Sequence, residues 1–149
     1  MDSNRLPGLD QLAKTASEEL TRKNSAREQG LRISREVIRH SANAIRAVHR
    51  LEFDTARMLL QEAEEKLAET VPILQSQPDI YFAGFLADAR KEYSEGCITL
   101  ALISGAPIPQ PGDLGVEVPP YLNGLGEAIG EMRRYILDSL RRDDAADCE

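Results

Sequence analysis

The apolar residues of this chain recur with a helical period over almost its whole length, and no stretch alternates convincingly with the period of two that a half-buried strand shows. The longest such stretch runs from about Leu9 to about Arg50. At about 1.5 Å per residue, it predicts a helix about 60 Å long. One small domain cannot bury so long a helix alone, so it either breaks near Gly30 or packs against another subunit. We therefore predict an all-α, antiparallel helical bundle with a long first helix.

Three shorter helices are expected after the first. The segments with a helical apolar period are residues 54–74, 78–104 and 119–142. Pro72 predicts a kink or an end in the second helix, and a loop rich in Pro and Gly occupies residues 105–118. A chain of 149 residues is most simply one domain. Fraying is expected at residues 1–8 and 143–149.

The charge of the chain is uneven along its length. The net charge is -7, yet residues 1–50 carry 10 Lys+Arg and 6 Asp+Glu, against 8 and 19 in residues 51–149. An acidic protein repels nucleic acid at long range, so nucleic acid binding requires the basic segment to face it. No apolar run approaches the roughly 20 residues that span a bilayer, and no signal segment opens the chain. We expect a cytoplasmic protein without membrane contact.

Four glutamates stand in two pairs on the predicted helices. Glu92 and Glu95 are three residues apart and Glu127 and Glu131 are four apart, so each pair shares one helix face. If the two helices pack side by side, the four carboxylates converge, and they repel one another unless a cation lies between them. Ligation by oxygen alone suits Mg²⁺, or else Mn²⁺. The alternative is that all four are ordinary exposed glutamates, the commoner state of this residue.

The surrounding sequence favours a shared metal site. Glu95 leads directly into an apolar run, while Glu127 and Glu131 share their face with the small residues Gly124 and Ala128, which permit close helix approach. A di-iron bundle would require Glu-x-x-His on two helices, and neither histidine follows a glutamate by three. Two divalent ions held by carboxylates are a common arrangement for phosphodiester cleavage. A neighbouring face of the fourth helix carries six apolar residues: Leu122, Leu125, Ile129, Met132, Ile136 and Leu140.

The first helix carries a row of arginines opposite its apolar side. This row, the arginine stripe, consists of Arg32, Arg35, Arg39, Arg46 and Arg50. Because Arg binds phosphate oxygens in pairs without reading base sequence, the first four members are predicted to contact a nucleic acid backbone. The alternative is a solvated basic face partly paired with Glu28 and Glu36. Neither His40 nor His49 is predicted to be a ligand or a general base.

Three segments of the chain resemble the translin/Trax family. The matching segments are residues 31–39 with 44–50, Glu92-Tyr93-Ser94-Glu95, and residues 114–134, which include Tyr121-Leu122-Asn123-Gly124 and Gly130-Glu131-Met132-Arg133-Arg134. They resemble the family's first helix, the Trax Glu-Tyr-x-Glu segment and the helix with Gly-Glu-Leu-x-Arg. The resemblance covers about residues 20–142 and is closer to Trax and archaeal Trax-like proteins than to translin. Relatives continue with C-terminal helices that this chain is expected to lack.

The resemblance implies a function and a set of site residues. In that family translin binds single-stranded RNA and DNA, and Trax has an Mg²⁺-dependent endoribonuclease site of acidic residues. By position those acids fall on Glu92, Glu95, Glu127 and Glu131, with Glu127 where Trax has Asp. An endoribonuclease on single-stranded RNA is thus expected, in a homo-oligomer, since relatives form octameric shells around RNA. A non-catalytic binder of single-stranded RNA or DNA and a structural subunit with vestigial acids are the alternatives.

Overall fold

The computed structural model describes residues 7–142, and all regular structure in that range is helical. The helices are α1 (Leu9–His49), α2 (Phe53–Leu74), α3 (Pro78–Tyr81), α4 (Gly84–Ser104), α5 (Pro111–Leu114) and α6 (Val118–Arg141). The prediction of an all-α fold with a long first helix is therefore confirmed. Within the same range, no helix combines the length and the apolar character needed to cross a bilayer. Of the residues predicted to fray, 1–8 and 143–149, only Pro7 and Gly8 are among the described residues, where they form a turn before α1.

Helix α1 is a single uninterrupted rod of 41 residues. Of the two alternatives for so long a helix, the break near Gly30 does not occur, and Gly30 lies on the buried side of the continuous helix. That side, with Ile33, Val37 and Val48 almost completely buried, packs against α2 and α4. A tight turn follows, in which Leu51 adopts a positive φ of 60° and its amide hydrogen-bonds the carbonyl of Val48 at 2.8 Å. The turn reverses the chain, so α2 returns along α1.

The third predicted helix is wrong in one respect, because the structure divides it into α3 and α4. Ala83 takes an extended conformation (φ -65°, ψ 148°) between them. A break of two residues barely changes the apolar spacing, so periodicity does not reveal it. Helix α4 ends at Ser104, and the Gly105 that follows it has a φ of 72°, the left-handed conformation of a glycine that stops a helix. Pro72 lies inside α2, which continues only to Leu74.

Helix α4 is the central element of the bundle, in contact with α1, α2 and α6. Helix α6 packs on it through a face of small and aromatic side chains, with Tyr121, Gly124 and Ala128 buried. Most of the apolar row on the neighbouring face of α6 is exposed, with Leu122 at 55% and Ile129 at 65%, whereas Leu125 is half-buried and packs against the core. The close packing of α4 and α6 positions the predicted glutamates.

Candidate functional site

Helices α4 and α6 cross so closely at Gly124 that a side chain there would clash with α4. A Cβ atom at Gly124 would stand 2.6 Å from the carbonyl oxygen of Lys91 and 2.9 Å from the amide nitrogen of Glu95. Neither backbone atom could move aside without displacing α4, so only glycine permits this approach. The glutamates on the two helices are thereby brought within reach of one another.

Three of the four predicted glutamates meet at this crossing. Glu92, Glu95 and Glu127, here called the glutamate cluster, each place a carboxylate oxygen within 4.8 Å of the other two. Glu95 is buried, Glu92 half-buried and Glu127 exposed. Burial raises the pKa of Glu95 to about 8, and the neighbouring charge of Glu92 and a hydrogen bond with Glu127 add to the rise. Glu95 therefore carries a proton at neutral pH in the absence of a metal.

A lysine lies within the cluster. The Lys91 ammonium donates to Oε1 of Glu127 at 2.9 Å and lies 3.2 Å from Oε1 of Glu92. Its hydrogen bond to Glu127, followed by that to Glu92, raises the pKa of Lys91 above its usual value. Lys91 is thus charged, and it neutralises part of the repulsion between the carboxylates.

The fourth predicted glutamate, Glu131, lies beside the cluster with partners of its own. Its Oε2 contacts Nε2 of His49 and lies 3.5 Å from Nη1 of Arg134. Its negative charge still contributes to the raised pKa of Glu95. The structure therefore groups three of the glutamates and sets the fourth at the edge.

His49 is a member of this region that sequence reasoning missed. Its side chain is 7% exposed, and its Nδ1 is buried without a hydrogen-bond partner among residues 7–142. An N–H at Nδ1 would have no acceptor there, so the tautomer that carries its hydrogen on Nε2 and donates it to Glu131 is favoured. No sequence signal connects these residues, because they are 82 positions apart.

The arginine stripe lies on the outer face of α1, with all five side chains exposed. Three members make no hydrogen bond or ion pair with any residue in 7–142: Arg32, Arg35 and Arg39. Arg46 donates to Asn43 at 2.7 Å, and Arg50 pairs with Glu52 at 2.8 Å. The first three guanidinium groups are therefore free to bind an external anion.

The carboxylates expected to neutralise the stripe have other partners. Glu28 pairs with Arg27 at 3.3 Å, and Glu36 pairs with Lys66 at 3.4 Å. Neither side chain contacts the stripe, so its positive charge is uncompensated over most of its length. Since His49 follows Arg46 by one helical turn, the C-terminal end of the stripe lies close to Glu131.

Comparison with known proteins places this geometry in a family, although no family model matches the chain. The uncharacterized protein MJ0175 of Methanocaldococcus jannaschii is 31% identical over 132 residues. The match covers 87% of this chain and 58% of the relative, so the chain spans little more than half the length of that protein.

Solved structures of C3PO, the complex of translin and Trax, share the fold. AfC3PO is 32% identical with a TM-score of 0.80, over 91% of this chain and 71% of that one. AfC3PO in complex with duplex RNA is 33% identical with a TM-score of 0.80, and the match again covers 91% of this chain and 71% of that one. Apo-NeC3PO is 23% identical with a TM-score of 0.71, and the match covers 95% of this chain and 73% of that one. At this lower identity the similarity supports only the fold. Because the chain is 32% identical to AfC3PO and shares its fold over 71% of the AfC3PO chain, it belongs to the translin/Trax family.

Proposed function

We propose that the protein is a Trax-like, Mg²⁺-dependent endoribonuclease that acts on single-stranded RNA. The observation that carries the proposal is the glutamate cluster, in which three carboxylate oxygens lie within 4.8 Å of one another. Glu95 is almost fully buried there and has a pKa of about 8. Carboxylates so close together are costly unless protons or cations neutralise them, and perturbed pKa values of this kind concentrate at functional sites.

The residues of the cluster fit a hard divalent cation. Glu92, Glu95 and Glu127 would hold Mg²⁺ through oxygen ligands, and Mn²⁺ would fit the same ligands. When bound, the ion would supply Lewis-acid activation of the phosphodiester and of the attacking water. Glu95 must lose its proton for this ligation, and Glu131 would join as a fourth ligand only by leaving His49.

The arginine stripe would position the RNA strand. Exposed guanidinium groups without internal partners suit phosphate oxygens, which they can bind in pairs. AfC3PO has been solved with duplex RNA, which supports nucleic acid as the ligand of this chain. A strand held along Arg32, Arg35, Arg39 and Arg46 would approach the glutamates at the C-terminal end of α1. Arginine contacts of this kind orient the backbone and leave the base sequence unread.

A non-catalytic binder of single-stranded RNA or DNA is the second candidate. The observation that favours it is Lys91, whose ammonium already pairs with two of the glutamates and offsets one of their two negative charges. We further propose a homo-oligomer, in which a second copy covers the exposed apolar residues of α6, since soluble monomers seldom expose such a row. The cytoplasmic location remains a prediction from the sequence.

Cleavage of a labelled single-stranded RNA, with and without Mg²⁺, tests the proposal. Wild type is compared with Glu95→Gln, which resembles the protonated carboxyl and should preserve the fold, and with Glu65→Gln on an exposed part of α2. We expect Mg²⁺-dependent cleavage that Glu95→Gln lowers by at least about 100-fold, with RNA binding retained and Glu65→Gln unchanged. A folded wild type that binds RNA but cleaves nothing with Mg²⁺ or Mn²⁺ would establish the non-catalytic binder instead.

A further inference from the structure

We propose that Lys91 sets the cation selectivity of the glutamate cluster: its ammonium is an internal monovalent cation that a divalent ion displaces and a monovalent ion does not. The inference deepens the proposed function, because it rests on the cluster being the metal site. It concerns metal binding, which is measurable whether or not the protein cleaves RNA.

Lys91 pairs with two members of the glutamate cluster. Its Nζ lies 2.9 Å from Oε1 of Glu127 and 3.2 Å from Oε1 of Glu92, so it bridges the two helices across the cluster. Both carboxylates belong to the three that can reach one cation. The ammonium and a metal ion would therefore compete for the same oxygens.

The backbone of Lys91 is held in place by the packing of α6. The carbonyl oxygen of Lys91 packs directly against Gly124, where an added Cβ would be only 2.6 Å from it. This contact with α6 leaves that part of α4 little room to move. Release of the ammonium must then come from rotation of the long lysine side chain, which is 21% exposed and has solvent beside it. No helix movement is needed to exchange the two cations.

Charge decides which ions can make the exchange. A monovalent ion would bring the same single charge as the ammonium and would forfeit two directional charge-assisted hydrogen bonds. A divalent ion brings one further charge into a half-buried site with two or three carboxylates, where Coulomb attraction is stronger than in water. Lys91 therefore excludes K⁺ and Na⁺ while it lowers the apparent affinity for Mg²⁺ or Mn²⁺.

The chain contains a matched control for this lysine. Lys66 also lies between two glutamates, 3.4 Å from Glu36 and 2.9 Å from Glu69. Those two glutamates belong to no group of three potential metal ligands within residues 7–142. Removing Lys66 therefore changes the same charge and the same type of contact without touching the cluster.

The test is Mn²⁺ binding by isothermal titration calorimetry, at low and at about 0.15 M KCl, for wild type, Lys91→Met, Lys91→Arg and Lys66→Met. We expect Lys91→Met to bind Mn²⁺ about tenfold tighter or more, through loss of a competing charge. K⁺ should weaken that binding more strongly in Lys91→Met than in wild type. Lys91→Arg and Lys66→Met should both resemble wild type.

The inference is overturned if Lys91→Met binds Mn²⁺ no more tightly than wild type. It is also overturned if Lys66→Met gains as much Mn²⁺ affinity as Lys91→Met. If Lys91→Met fails to fold by circular dichroism, Lys91→Gln takes its place with the same expectation. RNA cleavage measured in parallel separates the two proposals. If Lys91→Met binds Mn²⁺ more tightly than wild type but neither protein cleaves RNA, only the proposed nuclease activity is contradicted. Cleavage that disappears in Lys91→Met with unchanged Mn²⁺ affinity overturns the selectivity role.

Discussion

The glutamate cluster and the arginine stripe are both concentrations of like charge, but the molecule treats them in opposite ways. In the cluster, Lys91 bridges two carboxylates, a proton neutralises Glu95, and His49 with Arg134 holds the neighbouring Glu131. On the stripe, Arg32, Arg35 and Arg39 have no partner within residues 7–142. The charges of the cluster have partners inside the protein, whereas three of the five arginines of the stripe are left to solvent.

Burial accounts for the contrast. Exposed charges remain hydrated, and salt weakens the repulsion between them over a distance of about 10 Å. The stripe can therefore remain uncompensated at little cost in stability. Desolvation makes the same concentration of charge costly at the crossing of α4 and α6. To bind a cation, the cluster thus has to release the Lys91 ammonium or the proton on Glu95. The stripe can bind a phosphate without releasing a partner.

The largest effect is expected from Gly124→Val, which would break the cluster by forcing α4 and α6 apart. Its Cβ would meet backbone atoms of Lys91 and Glu95 at 2.6 and 2.9 Å. We expect a loss of about 3 kcal/mol or more in the free energy of unfolding, measured by urea denaturation. Gly126→Ala is the control, since nothing lies within 4 Å of its Cβ. It should gain up to about 1 kcal/mol. Equal stability of Gly124→Val and wild type would show that the helices are not so close.

The protonation of Glu95 predicts how stability depends on pH. Its pKa is about 8 in the folded protein against an ordinary value of 4.5, so between these values the folded state binds more protons than the unfolded state. The contribution of Glu95 is complete below about pH 4.5 and is lost as pH rises through about 8.

Urea denaturation at several pH values across that window should show wild type losing stability relative to Glu95→Gln as pH rises. Glu65→Gln, on the exposed side of α2, should follow the wild-type curve. Parallel curves for wild type and Glu95→Gln would mean that Glu95 is ionised throughout.

The two histidine–glutamate pairs sharpen the role of burial. His49 is 7% exposed and faces Glu131, whereas His40 is 17% exposed and lies 3.0 Å from the half-solvated Glu62. His49→Leu should cost about 1–3 kcal/mol of stability, because Glu131 loses a buried donor. His40→Leu should cost less than about 1 kcal/mol. Thermal denaturation of both variants checks the difference, and equal losses would contradict it. His49→Gln, which keeps an N–H donor, should recover part of the loss.

The smallest expected effect concerns the stripe. Replacing Arg32, Arg35 and Arg39 together by Ala should weaken binding of a single-stranded RNA about tenfold, or about 1.4 kcal/mol, without loss of stability. The slope of log affinity against log salt should flatten by about 2, since each phosphate contact contributes about 0.7 for single strands. Fluorescence anisotropy over a salt series measures both quantities.

The control for the stripe removes three exposed arginines that pair with acids on their own helix: Arg27, Arg57 and Arg141. This triple variant has the same net charge as the stripe variant but leaves the stripe intact. Equal losses of affinity in the two variants would mean that total charge, and not the stripe, attracts the RNA.

Much of the fold was predictable because its signals are local. Apolar spacing placed α1 within a residue of its observed end, and Gly105 marked the end of α4. The break between α3 and α4 was missed because two residues hardly disturb the helical period. The exposed apolar row of α6 shows the same limit, since periodicity identifies a face without saying what covers it.

By itself, the sequence determined the helices, the pairing of glutamates on common faces and the row of arginines, because each depends on residues within a few turns of one another. Only the tertiary structure decided which charges meet. Lys91 reaches Glu127 across 36 positions, and His49 reaches Glu131 across 82. Such contacts depend on how closely and at what angle two helices cross. Here Gly124 permits the close approach, and no local pattern encodes what lies opposite it.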